Sequence, residues 1–131
     1  MATDSKLVEQ LLDLNQRLLE SIAAADWATY ASLCHPSLSA FEPESLGHLV
    51  EGLDFHRFYF DLGAAQGPCT TTMASPHVRI MGDAAVVTYV RLTQRRDAEG
   101  KPVVTRCEET RVWQRIEGRW QHVHFHRSTG R

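Results

Sequence analysis

Three turn signals, Gly82-Asp83, Asp97-Ala98-Glu99-Gly100 and Glu117-Gly118, divide the second half of this chain into long runs in which apolar and polar residues alternate. A period of two is the signature of a strand with one buried face, and glycine-bearing turns of this length join antiparallel neighbours. The pattern predicts Cys69–Ala74 and His77–Met81, broken at Ser75-Pro76, followed by Ala84–Arg96, Val103–Ile116 and Arg119–Arg127. Strands joined this way form a meander. Its buried face needs a cover, and only the first half of the chain can supply one.

That first half reads as helix. Leu7, Leu11, Leu18 and Ile22, flanked by Val8, Leu12 and Leu19, recur at helical spacing over residues 5–25, with Thr3, Asp4 or Ser5 available as a cap. Asp26 is placed to cap a second helix through Leu33, which His35-Pro36-Ser37 ends. A brief extended piece at Leu38–Glu42 leads to Pro43, a residue suited to a first helical turn. Two helical pieces are then expected, Ser45–Glu51 and Asp54–Leu62, joined around Gly52. The second contains Phe-His-Arg-Phe-Tyr-Phe at Phe55–Phe60, so aromatic that it is expected to be mostly buried. Gly63 to Pro68 is a loop by composition. Helices first and a meander after make an α+β fold, helices packed on one face of a curved antiparallel sheet.

At 131 residues the expectation is one domain covering 1–131. A net charge of −2 gives no drive toward nucleic acid or an anionic membrane. Three scattered cysteines, Cys34, Cys69 and Cys107, without a CxxC pair, argue for a reducing compartment and against a zinc knuckle. With no signal-like or membrane-spanning run in the sequence, the expected location is cytoplasmic. The bases are twelve Arg against two Lys, which directs the search to sites for anions and to interfaces.

Several stretches together carry a family resemblance: FEPESLGHLVEGLDFHRFYF at Phe41–Phe60, SPHVRIMGD at Ser75–Asp83, YVRLTQ at Tyr89–Gln94, EETRVW at Glu108–Trp113 and HFHRS at His124–Ser128. In this order they resemble the association (hub) domain of calcium/calmodulin-dependent protein kinase II, over essentially the whole chain. The resemblance implies an NTF2-like cone of helices against a strongly bent sheet. It also implies self-association into homodimers and larger two-layered rings, and a deep pocket lined by arginines. By the same resemblance Arg91, Arg111 and Arg127 match the pocket arginines and His56 a pocket histidine. The sequence holds no kinase domain or calmodulin-binding segment, so a stand-alone hub is expected, without kinase activity, calmodulin binding or a cofactor.

Alternation independently places these arginines among apolar neighbours: Arg91 with Tyr89 and Val87, Arg111 with Glu109 and Trp113, Arg127 with Phe125 and Val123. If the faces coincide, two or three guanidiniums line a partly dry pocket for a small carboxylate-like anion, with His56, Tyr59 and Glu109 beside them. The competing arrangement pairs the arginines internally with Glu108, Glu109 or Asp54; an anion pocket is the preferred expectation, because one carboxylate hardly neutralises three guanidiniums. His122, His124 and His126 read as a row on one strand face. Histidines two apart can share a metal ion, which is the alternative here, but a flat strand spaces all three too widely for one ion, so the row, with Trp120, is expected as a subunit contact or outer sheet face. An alternative reading makes Asp54, His56 and Tyr59 an acid–base set in a small enzyme of isomerase, cyclase or hydrolase type, with His56 or Asp54 as base.

Overall fold

A computed structural model describes residues 2–64 and 67–129. Helix α1 (Ala2–Ala23) and helix α2 (Trp27–Leu33) are followed by strands β1 (Cys34–Phe41) and β2 (Val50–Glu51), helix α3 (Asp54–Asp61), and strands β3 (Thr70–Met81), β4 (Ala84–Arg96), β5 (Pro102–Ile116) and β6 (Arg119–Arg127). The six strands form one sheet in the order β2-β1-β6-β5-β4-β3. Its inner face and the helices enclose the core: Leu11, Leu18 and Leu19 of α1 and Tyr30 and Leu33 of α2 lie against Ala85, Val87, Tyr89, Trp113 and Phe125.

Asp26 caps α2 as expected, its carboxylate accepting from the Thr29 amide at 3.2 Å. Thr3, Asp4 and Ser5, anticipated ahead of the first turn, lie within the span of α1. One position of α1 is polar yet fully buried. Asn15 accepts a hydrogen bond from Trp113 Nε1 at 2.9 Å, tying the first helix to the centre of β5.

The tight turn at Glu117-Gly118 puts both residues at positive φ, 53° and 79°, the twist that two-residue hairpins favour. Elsewhere the sheet corrects the simple meander. The break at Ser75-Pro76 is a bulge in one continuous strand: β3 gains an extra residue between Ala74 and His77, and Ser75 absorbs it at φ 51°. Strand β1 starts at Cys34 and runs parallel to β6, so the sheet is mixed rather than purely antiparallel. The helix expected over Ser45–Glu51 is instead a 3-10 turn at Pro43–Ser45, a left-handed Leu46 and the short strand β2, paired with Ser39 and Ala40. Ala65 and Gln66 of the expected loop lie outside the described residues.

A second bulge matters more for function. Val112 of β5 pairs with His124 and Trp113 with His122, so one step on β5 spans two on β6, and Val123 is the extra residue. The alternation flips there. His122 and Phe125 both face inward, while His124 and His126 face outward beside Phe41. The three histidines therefore do not share a face, and Trp120, 6% exposed, belongs to the core rather than the outer surface.

Candidate functional site

Strands β4, β5 and β6 bring Arg91, Arg111 and Arg127 to the same inner face, and α3 supplies His56 from the opposite side. These residues bound a cavity of about 120 Å3 with Tyr30, Glu42, Glu44, Tyr59, Phe60, Phe125 and Ile22. A larger surface hollow of about 490 Å3, near Glu20, Ala24, Cys69 and Thr71, has one acidic side chain in its described lining and no cation.

The arginines are paired internally, two of them with Glu109 as in the competing arrangement and the third with Glu44, which the sequence did not suggest. Glu109, 2% exposed, bonds Arg91 Nη1 through Oε2 at 3.1 Å, and its Oε1 lies 3.2 Å from both Nε and Nη2 of Arg111. Tyr89 adds its hydroxyl, donating to Glu109 Oε1 at 2.5 Å and accepting from Arg111 Nε at 2.9 Å. Arg127 donates through Nη2 to Glu44. Glu108 turns outward to Arg106, and Asp54 is exposed. Three guanidiniums stand against three carboxylates, Glu109, Glu44 and, in the lining, Glu42. Glu109 itself sits behind the cavity wall instead of in the lining.

Electrostatics explain why such a set survives burial. Desolvation alone would raise the Glu109 carboxyl, but Arg111 and then Arg91 override it and hold it at about 2. Burial opposes the charge on Arg111, yet Glu109 and Tyr89 keep it protonated, and its guanidinium lies 4.3 Å over the Phe125 ring. The remaining side of that guanidinium meets His122. Arg111 Nη1 lies 3.4 Å from His122 Nε2, and His122 Nδ1 lies 3.4 Å from Cys34 Sγ. A guanidinium can only donate, so Nε2 must carry the lone pair, and the imidazole proton sits on Nδ1, directed at the Cys34 sulfur. Burial first, and Arg111 second, push the His122 pKa well below its ordinary value, so the ring is a neutral acceptor. Burial likewise pushes the Cys34 thiol up to about 12.

His56, 6% exposed, bonds Glu42 Oε2 through Nε2 at 3.3 Å, and its Nδ1 is buried without a partner among the described residues. Its ring lies 5.3 Å from Phe125, and Phe60 of the same helix packs 4.8 Å from Tyr30. Of the acid–base set, His56 and Tyr59 both line the cavity, with His56 turned to Glu42 and Tyr59 40% exposed, while Asp54 is exposed and outside the lining. Nor is the aromatic helix mostly buried, since His56 is its only fully buried residue and Phe58 is 61% exposed. Among the described residues no group of three His, Cys, Asp or Glu side chains could hold a metal ion, and no helix is long and apolar enough to cross a membrane.

Sequence reasoning placed Arg91, Arg111, Arg127, His56, Tyr59 and Glu109 at this site and missed Glu42, Glu44, Tyr30 and Phe60 as wall residues. The acidic pair flanking Pro43 was the available signal, but its partner Arg127 lies 83 residues away.

Known proteins resemble this arrangement closely. Residues 8–131 match the family described as the calcium/calmodulin dependent protein kinase II association domain. The chain is 49% identical over 123 residues to the delta subunit of calcium/calmodulin-dependent protein kinase type II from Oryctolagus cuniculus, covering 92% of this chain but only 23% of that relative. It superposes on the association domain of the C. elegans kinase with a TM-score of 0.93 at 45% identity, covering 98% of this chain and 100% of the other. For a hub homology domain from Chlamydomonas reinhardtii the TM-score is 0.86 at 52% identity, over 93% and 97% of the two chains. An NTF2-like superfamily protein from Salmonella enterica, at 24% identity and a TM-score of 0.77, shares the fold alone.

Proposed function

This chain belongs to the association-domain family of calcium/calmodulin-dependent protein kinase II, and from that premise we propose that it is a hub module that binds further copies of itself and holds a small carboxylate-like anion in its arginine-lined cavity. The observation that carries the first half is where apolar surface is left uncovered. Of the eight large hydrophobics exposed among the described residues, six fall within Phe41–Leu62: Phe41, Leu46, Leu49, Phe58, Tyr59 and Leu62. Leu46 is 85% exposed and Leu62 70%. Clustered apolar exposure of this kind marks an interaction surface, and the occupant proposed is a second copy of the chain. The outward sheet face continues the surface with Val86, Val90 and Val112, which alternate with the buried side chains. Such contacts build a homodimer and, repeated, a larger ring.

Support for the anion comes from the way Arg127 is occupied. Glu44 is an exposed side chain on a surface turn, yet its carboxylate occupies Arg127. It acts as a built-in stand-in for a ligand carboxylate, which would displace it and bind the same fork. Arg111, held from behind by Glu109 and from the side by His122, then faces the ligand without moving. Native mass and calorimetry test the two halves. Assemblies larger than a dimer are expected at micromolar concentration, and a clean monomer across concentrations would sink the hub reading. Short carboxylates should bind the Glu44→Gln variant several-fold tighter than the natural chain and lose measurable binding in Arg127→Ala. Equal binding by all three would remove the pocket.

A further inference from the structure

Among the described residues, one titratable pair in the cavity lining involves no arginine. His56 Nε2 meets Glu42 Oε2 at 3.3 Å, and the two side chains are only 7% and 5% exposed. An ionised carboxylate can only accept, so Nε2 carries the hydrogen and the neutral ring keeps its lone pair on Nδ1. That atom is buried and has no partner among the described residues. As it stands, a buried carboxylate faces a neutral donor, and the far side of the ring is an acceptor with nothing to accept. One proton on Nδ1 converts this hydrogen bond into a buried ion pair.

The groups around the ring are otherwise fixed in charge. From α2, burial pushes the Tyr30 hydroxyl well above its ordinary range, and from β1 it pushes the Cys34 thiol up to about 12. On β4 and β5, Arg91 and Arg111 share Glu109, held at about 2 against the cost of its burial. On β6, burial, then Arg111, then His56 itself lower His122, so that ring stays neutral. Burial would raise the Glu44 carboxyl, but Arg127, with a contribution from His56, brings it below its ordinary value. Arg127 in turn is kept charged against burial by Glu44 first and Glu42 next. On α3 itself, Asp54 is exposed, Tyr59 stands at the rim and Arg57 lies over the Trp27 ring. Imidazole is the side chain that ordinarily changes charge between about pH 5 and 8, which in this lining leaves His56.

We propose that a carboxylate enters this cavity together with a proton, which settles on His56 and makes its contact with Glu42 an ion pair. The inference rests on the inner cavity being a carboxylate pocket and states how that pocket is regulated. Glu44, the carboxylate now on Arg127, is exposed, so water screens it from Glu42. A ligand on the same fork is enclosed with Glu42, and two enclosed carboxylates repel unless a proton is shared in. The proton is drawn from the buffer on binding and returned on release. Binding that takes up a proton strengthens as pH falls, so affinity rises from pH 8 toward pH 6.

Calorimetry of butyrate binding to the full chain, in two buffers of different ionisation heat, counts the protons directly. Butyrate itself stays ionised between pH 6 and 8. The natural chain should take up protons at pH 7 and bind about tenfold tighter at pH 6 than at pH 8. His56→Gln keeps a donor for Glu42 but takes no proton, so uptake should vanish and the two affinities agree within about twofold. Glu42→Gln removes the enclosed charge; it should cut uptake and raise the pH 8 affinity toward the pH 6 value, and it decides the matter if His56→Gln does not fold. Glu44→Gln should keep the uptake. Butyrate binding without uptake and with equal affinity at both pH values would overturn the proton linkage and leave the pocket standing. So would uptake that survives in either the His56 or the Glu42 variant, or uptake lost in Glu44→Gln. Absence of butyrate binding at every pH would instead remove the carboxylate pocket, and the linkage with it.

Discussion

Helix α3 and strand β5 exchange the roles their sequences suggest. The helix is the most aromatic stretch of the chain, yet only His56 is fully buried there, while Phe58 is 61% exposed. The strand segment Glu108–Trp113 is charged, yet Glu109 and Arg111 are 2% and 1% exposed. Geometry explains both. A helix of eight residues has one inward face, and His56 with Phe60, four residues apart, occupy it. A strand sends alternate residues inward whatever their polarity, and the hydrogen bonds among Glu109, Tyr89, Arg91 and Arg111 make that burial tolerable. The difference teaches that hydropathy predicts burial only where the partner surface is inside the same chain. Aromatics without such a partner form the contact surface of the self-association proposed above.

The comparison breaks most easily at its buried end. Glu109→Ala strands two guanidiniums, one fully buried, and should cost about 3–5 kcal/mol in urea unfolding at pH 7. A loss below about 1 kcal/mol would mean that water reaches the set.

Acid probes the same residues more gently. The folded Glu109 carboxyl lies at about 2 against an ordinary 4.5, so its stabilisation is complete above pH 4.5 and is lost as pH falls through that value toward 2. The shift corresponds to roughly 3 kcal/mol, and the stability gap between the natural chain and Glu109→Gln should close by about that much. His122 acts in a higher window with the same sign. Its folded pKa is lowered below the ordinary 6.5, so the unfolded state binds the extra proton and stability declines as pH falls from 6.5. His122→Leu should abolish that upper slope and leave the Glu109 window intact. Persistence of the upper slope in the leucine variant would show that another histidine carries it.

At the exposed end the expected effect on the fold is smallest. Phe58→Ser should change monomer stability by no more than about 0.5 kcal/mol, yet shift native mass toward smaller species. A stability loss above about 2 kcal/mol with assembly intact would place Phe58 in a core after all.

Much of this protein is legible in local sequence. Alternation and turn residues identify β4, β5 and β6 and the hairpins between them, helical spacing identifies α1, and Asp26 marks the start of α2. The inward direction of Arg91, Glu109 and Arg111 follows from the same period of two, because side-chain direction along a regular strand is a local property. The ordered motifs from Phe41 to Ser128 are enough to place the chain in its family.

Only tertiary structure decides what depends on a distant partner. The bulge at Val123 lies where β6 pairs with β5 on one side and β1 on the other, and it turns His122 from a member of an outer row into the acceptor that holds Arg111. Residues 45–51 carry a helical look but yield to a 3-10 turn and a β2–β1 pairing that needs Ser39 and Ala40 in place. Glu44 meets Arg127, and Glu42 meets His56, across separations of 83 and 14 residues. Local propensity sets which elements exist. Register, bulges and long-range ion pairs are settled by the packed chain, because their energy is realised only when both partners are already positioned.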